Sequence, residues 1–307
     1  MKILITGGAG FIGSHLVDAC VERGDEVFII DNLSTGQRDN IAHHDGNASV
    51  HFYEVDIRDW EKISDIFEQV RPEVVFHLAA QINVRESIRN PVHDIEVNIL
   101  GTMNILESMR KHDCQRMIFS STGGAMFGGD NPPYSESHEA HPESPYGISK
   151  RAVELLLEFY ERQYGIRSTI LRYANVYWPR QNALGEAGVI SIFLDKIQNN
   201  QIPTIYGDGS QTRDFIHVAD VVSANMHALE KNLTGVYHVG TGIETSVNQL
   251  WQILASSTDT TIKPQYTPSL WEIQRSALSP EKLRATGWNN SFSLKDGINQ
   301  MKSAQTR

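Results

Sequence analysis

Two groups of polar side chains in the sequence could carry out acid–base chemistry. Tyr146 and Lys150 are four residues apart in a segment whose apolar positions predict a helix, so their side chains share one helical face. A phenol, with a pKa of ~10, is a poor base at neutral pH, but a neighbouring ammonium favours the phenolate. A surface Tyr/Lys pair on an ordinary helix would have the same spacing, so the spacing alone does not indicate catalysis. The hydroxyls of Ser120, Ser121 and Thr122 follow a predicted strand and can bind a substrate oxygen. Together with the glycine-rich turn described next, they favour the catalytic interpretation.

A glycine-rich turn near the N-terminus predicts a binding site for a dinucleotide. The β-branched run 2–6 predicts a strand, Gly7, Gly10 and Gly13 follow it, and apolar residues then recur at helical spacing. Gly7 permits a sharp turn, Gly10 lets the backbone approach a pyrophosphate, and Gly13 lets the helix lie close to the strand. The helix N-terminus supplies free N–H groups to the phosphates.

Further predicted strands end in residues suited to the same ligand. Asp31 lies where a dinucleotide fold places the acid that binds the adenosine ribose, so NAD is favoured over NADP. Asp56 could reach the adenine amino group. The small Ala79 and Ala80 leave room for the cofactor or, equally, reflect close packing. The predicted strands span residues 2–6, 26–30, 51–55, 74–78 and 116–119.

The alternation of strand-like and helix-like segments predicts the fold class. A chain of 307 residues with 40% hydrophobic content can bury a sizeable core, and no linker or repeat interrupts it. We expect an α/β protein with a Rossmann-type, doubly wound parallel sheet and a smaller α/β substrate-binding domain. The predicted domains are 1–174, which binds NAD and to which later segments return, and 175–307, which binds the substrate.

Composition excludes several other classes of protein. A net charge of −10 and the lack of a basic run argue against nucleic acid. No segment approaches membrane-spanning length, so we expect a cytoplasmic protein. Of two cysteines, Cys20 lies on an apolar helix face as a buried thiol. His43, His44, His138 and His141 fall in polar stretches without metal-ligand spacing, so we interpret them as solvated loop residues and expect no metal.

Four motifs together resemble a known family. They are Gly7-x-x-Gly10-x-x-Gly13, the hydroxyl cluster, Tyr146-x-x-x-Lys150 and the segment 171–177, Leu-Arg-Tyr-Ala-Asn-Val-Tyr. The chain resembles the extended short-chain dehydrogenase/reductases of the NAD-dependent epimerase/dehydratase family, and within them the UDP-glucose 4-epimerases. This resemblance implies that Tyr146 takes a proton from the sugar 4-hydroxyl while C4 loses a hydride to NAD. Thr122, with Ser121 beside it, would bind the C4 oxygen through a 4-keto stage.

The resemblance also implies which residues bind the two ligands. Those expected around NAD are Gly7, Gly10, Phe11, Ile12, Gly13, Asp31, Asn32, Ser34, Thr35, Gly36, Asp56, Ile57, Leu78, Ala79, Ala80, Asn98, Ser120, Tyr146, Lys150, Tyr173 and Val176. Those expected around the UDP-sugar are Asn175, Ala187, Val189, Ile205, Arg213, Phe215 and Arg275. Asn175 and Arg213 would contact the diphosphate, and a guanidinium suits phosphate because its donors form a planar fork. The alternative for Arg213 is an ion pair with a neighbouring aspartate.

The sequence departs from the family pattern at several positions. Trp178 stands where the family has glycine, and it either narrows the sugar pocket or caps it. Ser269 and Trp271 replace a segment that usually carries a phosphate-binding arginine, for which Arg275 is the candidate substitute. Phe127 replaces a tyrosine and loses its hydroxyl.

Other departures bear on the reaction. Related dehydratases carry Asp-Glu where this chain has Gly123 and Gly124, so dehydration is disfavoured. Asn182 stands where uronate-specific relatives have arginine, so a neutral hexose is favoured. The alternatives are a UDP-glucuronate or UDP-N-acetylhexosamine 4-epimerase, a nucleotide-sugar oxidoreductase or decarboxylase, and a non-catalytic NAD sensor. The sequence does not distinguish Ser121 from Thr122 as the main hydroxyl partner.

Two predicted helices carry apolar residues on more than one face. They span residues 95–109 and 152–159. In the family the matching helices form a four-helix dimer interface, so the resemblance implies a homodimer. For an isolated chain the alternative is ordinary core packing.

Overall fold

A seven-stranded parallel sheet forms the centre of the molecule. The computed structural model describes residues 1–128, 131–181, 188–268 and 273–305, the last four of these by their backbone alone. The strands are β1 (Lys2–Thr6), β2 (Glu26–Asp31), β3 (Val50–Glu54), β4 (Val74–His77), β5 (Arg116–Thr122), β6 (Arg167–Tyr173), β7 (Asn175–Tyr177), β8 (Thr204–Tyr206), β9 (Thr212–Arg213), β10 (Phe215–His217), β11 (Gly235–Val239), β12 (Thr245–Ser246) and β13 (Gln265–Thr267).

Helices cover both faces of this sheet and build a smaller region beside it. They are α1 (Phe11–Glu22), α2 (Trp60–Val70), α3 (Val84–Arg89), α4 (Pro91–Ile95), α5 (Gly101–Lys111), α6 (Pro145–Tyr164), α7 (Val189–Gln198), α8 (Val218–Glu230), α9 (Val247–Thr258), α10 (Glu281–Arg284) and α11 (Leu294–Gln305). Short 3-10 turns occupy Arg38–Asn40 and Ala42–His44, and a π-helical turn, Glu96–Leu100, joins α4 to α5. None of the described helices is long and apolar enough to cross a membrane.

The strand order of the sheet confirms the predicted fold class. The order is β11-β6-β5-β4-β1-β2-β3, and every neighbouring pair is parallel. The chain starts in the middle, winds outwards through β2 and β3, and then crosses back to β4 on the other side of β1. This reversal creates a crevice at the carboxyl ends of β1 and β4, where ligands bind in such sheets.

Buried side chains of the strands divide the core between the two sheet faces. Ile3 and Ile5 point to the face covered by α1 and α8, whereas Leu4 points to the face covered by α2, α5 and α6. This alternation follows from the two-residue period of a strand. Cys20, predicted to be a buried thiol, is fully buried on α1.

The five predicted strands are all present; β1 has the predicted bounds, and the other four have shifted ends. The largest shift is in β5, which extends to Thr122 because Ser120, Ser121 and Thr122 pair with Leu171, Arg172 and Tyr173 of β6. The hydroxyl cluster therefore belongs to the strand itself, so the ladder fixes its backbone.

The second half of the chain contributes to two regions. Helices α7, α9 and α11 share a separate apolar core around the fully buried Leu250 and Leu254. By contrast, α8 packs on α1 and β11 forms the edge of the main sheet beside β6. The division into domains at residue 174 remains a prediction.

Candidate active site

A cleft of about 710 Å³ lies at the carboxyl edge of the sheet, where the strand order reverses. Most of the residues predicted to bind a ligand line it. They are Gly7, Gly10, Phe11, Ile12, Gly13, Asp31, Asn32, Ser34, Thr35, Asp56, Ile57, Leu78, Ala79, Ala80, Ser120, Ser121, Thr122, Tyr146, Lys150, Tyr173, Asn175, Val176 and Phe215. Sequence positions up to 208 residues apart thus converge on one cleft, from Gly7 to Phe215.

Gly7 and Gly13, in the connection from β1 to α1, leave no room for side chains. Gly7 has a φ of +71°, and a Cβ atom there would stand 2.8 Å from the backbone nitrogen of Ala79. A Cβ atom on Gly13 would overlap the Gly7 carbonyl, so α1 could not approach β1 as closely as it does. The turn therefore presents bare backbone and the N-terminus of α1 to the cleft, which is an arrangement that suits a pyrophosphate.

Asp31 ends β2 as a buried carboxylate at the rim of the cleft. Its oxygens accept hydrogen bonds from the backbone nitrogens of Ala9 at 3.0 Å and Leu33 at 2.8 Å. Burial raises the pKa of Asp31, although these backbone hydrogen bonds favour the charged form. Gly36 does not line the cleft. A Cβ atom there would stand 2.8 Å from an Asp31 oxygen, so Gly36 packs against this carboxylate.

Asp56 is held in place by two side chains. Its carboxylate accepts hydrogen bonds from Arg58 Nη2 at 2.8 Å and Asn32 Nδ2 at 2.9 Å. The Arg58 hydrogen bonds hold the pKa of Asp56 at about 2. Arg58 also lines the cleft, and sequence reasoning missed it. The available signal was an arginine two residues beyond a predicted ligand-binding acid.

Lys150 lies buried at the floor of the cleft. Its ammonium group donates a hydrogen bond to the Ser120 carbonyl at 3.0 Å and stands 4.8 Å from the centre of the Phe119 ring. Burial lowers the pKa of Lys150 to about 8, while the negative charges of Asp94 and Glu154 act in the opposite direction. Lys150 is therefore a cation at neutral pH that has been removed from water.

Tyr146 occupies the first turn of α6, one turn before Lys150. The helix starts there because Pro145 is its first residue and the Ser144 hydroxyl accepts a hydrogen bond from the Gly147 nitrogen. The Tyr146 backbone nitrogen donates to the Ser87 hydroxyl at 3.2 Å. Both ends of α6 are thus defined locally, since Gly165 closes the helix with a φ of +73°.

The hydroxyls of Ser121 and Thr122 differ in their partners. The Ser121 hydroxyl donates a hydrogen bond to Glu154 Oε1 at 2.7 Å and is buried. Thr122 Oγ1 instead accepts a hydrogen bond from the Ala125 nitrogen at 3.2 Å, so its own proton is not used in that bond. Thr122 can therefore still donate to a ligand in the cleft, whereas Ser121 donates to the protein.

A buried ion pair supports this corner of the cleft, and sequence reasoning did not find it. Glu154 and Arg172 form a bidentate pair, with Nε–Oε1 and Nη2–Oε2 distances of 2.9 and 2.6 Å. Burial disfavours the Glu154 carboxylate, but hydrogen bonds from Arg172, Ser121 and Arg151 together hold its pKa below the ordinary value. The sequence signal was a glutamate four residues after Lys150, on the same helical face.

Asn98 has a different location from the one predicted. It is buried in the π-helical turn and does not line the cleft. Its side chain bonds the backbone nitrogen and oxygen of Gln81 at 2.8 and 2.9 Å and the Ser149 hydroxyl at 3.0 Å. Gln81, which sequence reasoning missed, lines the cleft and donates to Asp94 at 2.7 Å. Asn98 therefore positions the segment after β4.

Several residues predicted to bind the substrate lie away from the cleft. Gly188 and Ile190 line it, whereas Val189 between them does not. Ile205 is buried in the core of the smaller region. Ala187 lies outside the described residues, as do Asn182, Ser269 and Trp271 of the sequence analysis.

The two arginines predicted to bind phosphate have protein partners. Arg275 makes a bidentate pair with Glu244, with distances of 2.9 and 2.6 Å, and does not line the cleft. Arg213 donates to the Thr212 carbonyl at 2.8 Å and does not line the cleft either. Its sequence neighbour Asp214 accepts hydrogen bonds from the backbone nitrogens of Thr241, Gly242 and Leu278.

Two unusual aromatic residues pack into the protein. The Trp178 ring lies 4.3 Å from the ring of His217, and Phe127 stacks on Tyr134 at 4.3 Å. Neither residue lines the cleft that the described residues form, so Trp178 does not narrow that cleft.

His43 and His44 both contact an acidic side chain of α1. His43 and His44 both place Nε2 2.8 Å from Asp18 Oδ1. The interpretation as solvated loop residues is wrong for His44, whose side chain is only 12% exposed, and incomplete for His43. The cause is the 3-10 turn Ala42–His44, which packs against α1 and which the sequence pattern did not indicate.

The sheet order, the glycine turn and the Tyr-x-x-x-Lys helix define a dinucleotide-binding enzyme of the short-chain dehydrogenase/reductase class. The profile of the NAD dependent epimerase/dehydratase family matches residues 3–240. The chain belongs to this family, as its motifs predicted.

Three proteins with the name UDP-glucose 4-epimerase resemble the chain along almost its whole length. The chain is 49% identical over 305 residues to a putative UDP-glucose 4-epimerase of Methanocaldococcus jannaschii. This alignment covers 97% of this chain and 96% of the relative. The structure of Thermotoga maritima UDP-glucose 4-epimerase with UDP-glucose has a TM-score of 0.94 and 43% identity, covering 100% of this chain and 99% of the other. The Thermus thermophilus UDP-glucose 4-epimerase complex with NAD has a TM-score of 0.91 and 39% identity, covering 99% and 98%.

Proposed function

We propose that the protein is an NAD-dependent 4-epimerase that interconverts UDP-glucose and UDP-galactose through a 4-keto sugar. The observation that carries this proposal is the burial of Lys150 at the floor of the cleft, one helical turn from Tyr146. The relatives that bind UDP-glucose and NAD support it, because they share the fold over almost the whole chain.

The described residues fit NAD. Gly7 and Gly13 in the turn after β1 leave no room for side chains, which is what close approach of a pyrophosphate to the backbone requires. Asp31 offers a carboxylate at the end of β2, where ribose hydroxyls would bind and a 2′-phosphate would be repelled. Asp56 and Ile57 would flank the adenine. When bound, NAD supplies the hydride acceptor and donor for C4.

The side chains of the protein would handle the proton and orient the sugar. Tyr146 takes the proton of the 4-hydroxyl, because the buried ammonium of Lys150 stabilises the phenolate. Thr122 donates a hydrogen bond to the C4 oxygen while that oxygen becomes a carbonyl and then a hydroxyl again. Ser121 keeps Glu154 and β5 in place. Inversion requires the keto sugar to turn in the cleft, so that the other face of C4 would be turned towards the cofactor.

The partners of the two hydroxyls predict different effects of removing each. We expect Thr122→Val to lower kcat about 10²-fold, since it removes a donor to the reacting oxygen. Ser121→Ala should change kcat less than about 3-fold and lower the free energy of unfolding by about 2 kcal/mol, because its bond is to a buried charge. Steady-state kinetics and urea unfolding measure both. Thr122→Ser is the matched control and should keep most of the activity. Equal loss of kcat in Ser121→Ala and Thr122→Val would contradict the assignment.

The burial of Lys150 predicts the pH dependence of activity. Lys150 is protonated below its pKa of about 8 and loses the stabilising charge above it, so kcat/KM should fall as pH rises through this value. Asp94→Asn removes a negative charge that favours the ammonium, and we expect the alkaline limb to move to lower pH. Glu158 lies on the same helix as Lys150, with its side chain 45% exposed. Glu158→Gln serves as the control and should leave the limb in place. An unchanged alkaline limb in Asp94→Asn would contradict this electrostatic account.

The nucleotide would occupy the side of the cleft formed by the second half of the chain. Asn175 and Phe215 line that side, and they would contact the diphosphate and the uridine. Residues 175–307 would form the substrate-binding domain, although α8 and β11 lie with the NAD-binding half. The pair with Glu244 argues against Arg275 as a phosphate ligand.

The direct test is to incubate the purified protein with UDP-galactose, without added cofactor, and to follow the anomeric proton signals by NMR. We expect UDP-glucose to appear, because the family's NAD-binding cleft should retain its cofactor during purification. Parallel incubations contain UDP-glucuronate and UDP-N-acetylglucosamine. Conversion of one of these alone would replace the proposed sugar, and no conversion of any of them, with NAD added, would contradict epimerisation.

We also propose a homodimer. Helices α4 and α5 and the π-helical turn between them pack beside α6, and together these elements expose Val92, Ile95, Leu100, Leu155 and Phe159, each more than 40% accessible. An apolar face of this kind is typical of a subunit interface. Light scattering coupled to size exclusion should give a mass of two chains, and Phe159→Glu should shift it towards one. A monomeric wild-type protein would contradict the proposal.

A cytoplasmic location is part of the same proposal. Cys20 and Cys114 are both buried as free thiols. Buried free thiols of this kind are compatible with a reducing compartment. Cell fractionation would test the location.

A further inference from the structure

Asp18, His43 and His44 form a compact cluster outside the cleft. Asp18 lies on α1, and the two histidines are neighbours in the 3-10 turn Ala42–His44. Nε2 of both histidines stands 2.8 Å from the same oxygen, Asp18 Oδ1, and the ring centres are 4.1 Å apart. One ligand atom from each residue lies within 4.8 Å of the other two. The cluster therefore converges on a single point.

We propose that Asp18, His43 and His44 form a binding site for a divalent transition-metal ion, with Zn²⁺ as the fitting ion. Two imidazole nitrogens and one carboxylate oxygen are a donor set that suits Zn²⁺ and its neighbours rather than Mg²⁺ or Ca²⁺. In a tetrahedral site with metal–ligand distances of about 2.0–2.1 Å, the ligand atoms stand about 3.3 Å apart. The two Nε2–Oδ1 separations of 2.8 Å are about half an ångström shorter than this, and the two Nε2 atoms lie within 4.8 Å of each other.

Arg180 holds the carboxylate of this site in orientation. Its Nη1 atom donates to Asp18 Oδ2 at 2.8 Å and to the Ser14 hydroxyl at 3.2 Å. The bond to Oδ2 leaves Oδ1 directed at the histidines, which is the way that outer hydrogen bonds orient a metal-binding carboxylate. The positive charge of Arg180 also weakens cation binding. We therefore expect a Kd in the micromolar range rather than the affinity of a structural zinc site.

The exposure of the three side chains gives the ion access. His43 is 47% exposed, Asp18 24% and His44 12%. The site is therefore open on the His43 side, and water would occupy the fourth position. Zinc sites that keep an open coordination position have this arrangement of three protein ligands and one water, whereas structural sites have four protein ligands.

Metal binding would fasten one segment of the cleft wall to α1. The segment before the histidines carries Ser34 and Thr35, which line the cleft. Two hydrogen bonds to the Ala9 carbonyl already hold it, from the Gln37 nitrogen at 3.0 Å and from Asn40 Nδ2 at 2.9 Å. An ion shared by His43, His44 and Asp18 would add a further link that exists only in the folded state. Binding should therefore raise the thermal stability of the whole chain.

The test uses the full chain without an affinity tag, freed of metal by a chelator and titrated with ZnCl₂ by calorimetry. We expect one ion per chain and, at a hundredfold excess over Kd, a Tm higher by roughly 5 °C. The double variant His43→Asn/His44→Asn should lose both effects. The control His138→Asn/His141→Asn, which changes two exposed histidines of another loop, should keep both.

Three results would overturn the proposal. They are the absence of binding to the wild-type chain, a Tm that does not rise on binding, and equal binding by the wild type and the double variant. If circular dichroism showed that the double variant is unfolded, His43→Asn alone decides, because the His43 side chain is 47% exposed and its replacement should leave the fold intact. It should weaken Zn²⁺ at least tenfold, and unchanged affinity would overturn the proposal.

Discussion

Replacing Tyr146 by phenylalanine should lower kcat by about 10³-fold. The change removes a single oxygen, so the loss measures proton transfer at the 4-hydroxyl, which contributes 10²–10⁴-fold in enzymes. Tyr146 sits in the first turn of α6, whose start is fixed by Ser144 and Pro145. The backbone of the variant should therefore be unchanged. Kinetics with UDP-galactose measure the effect.

The control for this variant lies on the same helix. Tyr164→Phe removes the hydroxyl of an exposed tyrosine at the other end of α6 and should leave kcat within about 2-fold. NAD released from the denatured Tyr146→Phe protein should match the wild-type amount, which separates loss of chemistry from loss of cofactor. A kcat within tenfold of the wild type would contradict the role of Tyr146 as the base.

Breaking the buried ion pair behind the hydroxyl cluster should have the largest effect on stability. Glu154→Ala leaves the guanidinium of Arg172, which is 4% exposed, without its bidentate partner. Removal of one partner of a buried pair costs about 3–5 kcal/mol. For a chain of this size, we expect Tm to fall by roughly 10 °C. Thermal unfolding followed by circular dichroism measures the change.

Two further variants distinguish the destabilisation caused by an unpaired buried charge from that caused by lost packing. Glu154→Leu combined with Arg172→Met removes both charges and should recover most of the lost stability, because an apolar pair carries no desolvation cost. Glu158→Ala, at a position of α6 whose side chain is 45% exposed, should change the free energy of unfolding by less than about 0.5 kcal/mol. If Glu154→Ala were as stable as Glu158→Ala, the ion pair would not stabilise this corner of the cleft.

Acid should weaken the same ion pair. The pKa of Glu154 is lower in the folded protein than its ordinary value. The pair therefore stabilises the fold fully above the ordinary glutamate range, and this contribution disappears as the pH falls through the lower folded-state pKa.

The sequence predicted the parts of the site that depend on local pattern. The glycine turn and the pair Tyr146 and Lys150 each lie within one element and its cap, so spacing alone determines which side chains are adjacent. The family resemblance predicted that these elements meet in one cleft of a parallel sheet. The observed sheet confirms the fold that the resemblance implies.

The contacts that sequence reasoning missed join residues that are far apart in the chain. Ser121 bonds Glu154, which is 33 positions away, and Arg172 reaches the same carboxylate from the neighbouring strand. No periodicity relates such residues, because their proximity is created by strand order. The same applies to Arg275, which was assigned to phosphate from its position in the sequence but pairs with Glu244. His43 and His44 were interpreted as solvated because their sequence neighbours are polar. Those neighbours do not indicate the contact that both histidines make with Asp18 of α1.

The most direct test of the proposed reaction follows the hydrogen at C4. The protein is incubated with UDP-galactose carrying deuterium at C4, in ordinary water and without added cofactor, and the UDP-glucose formed is analysed by NMR and mass spectrometry. We predict that the product keeps the deuterium at C4, because inversion returns the same hydride to the opposite face of one bound sugar. Product with hydrogen from water at C4 would contradict the account, since it would mean that C4 was inverted by proton exchange.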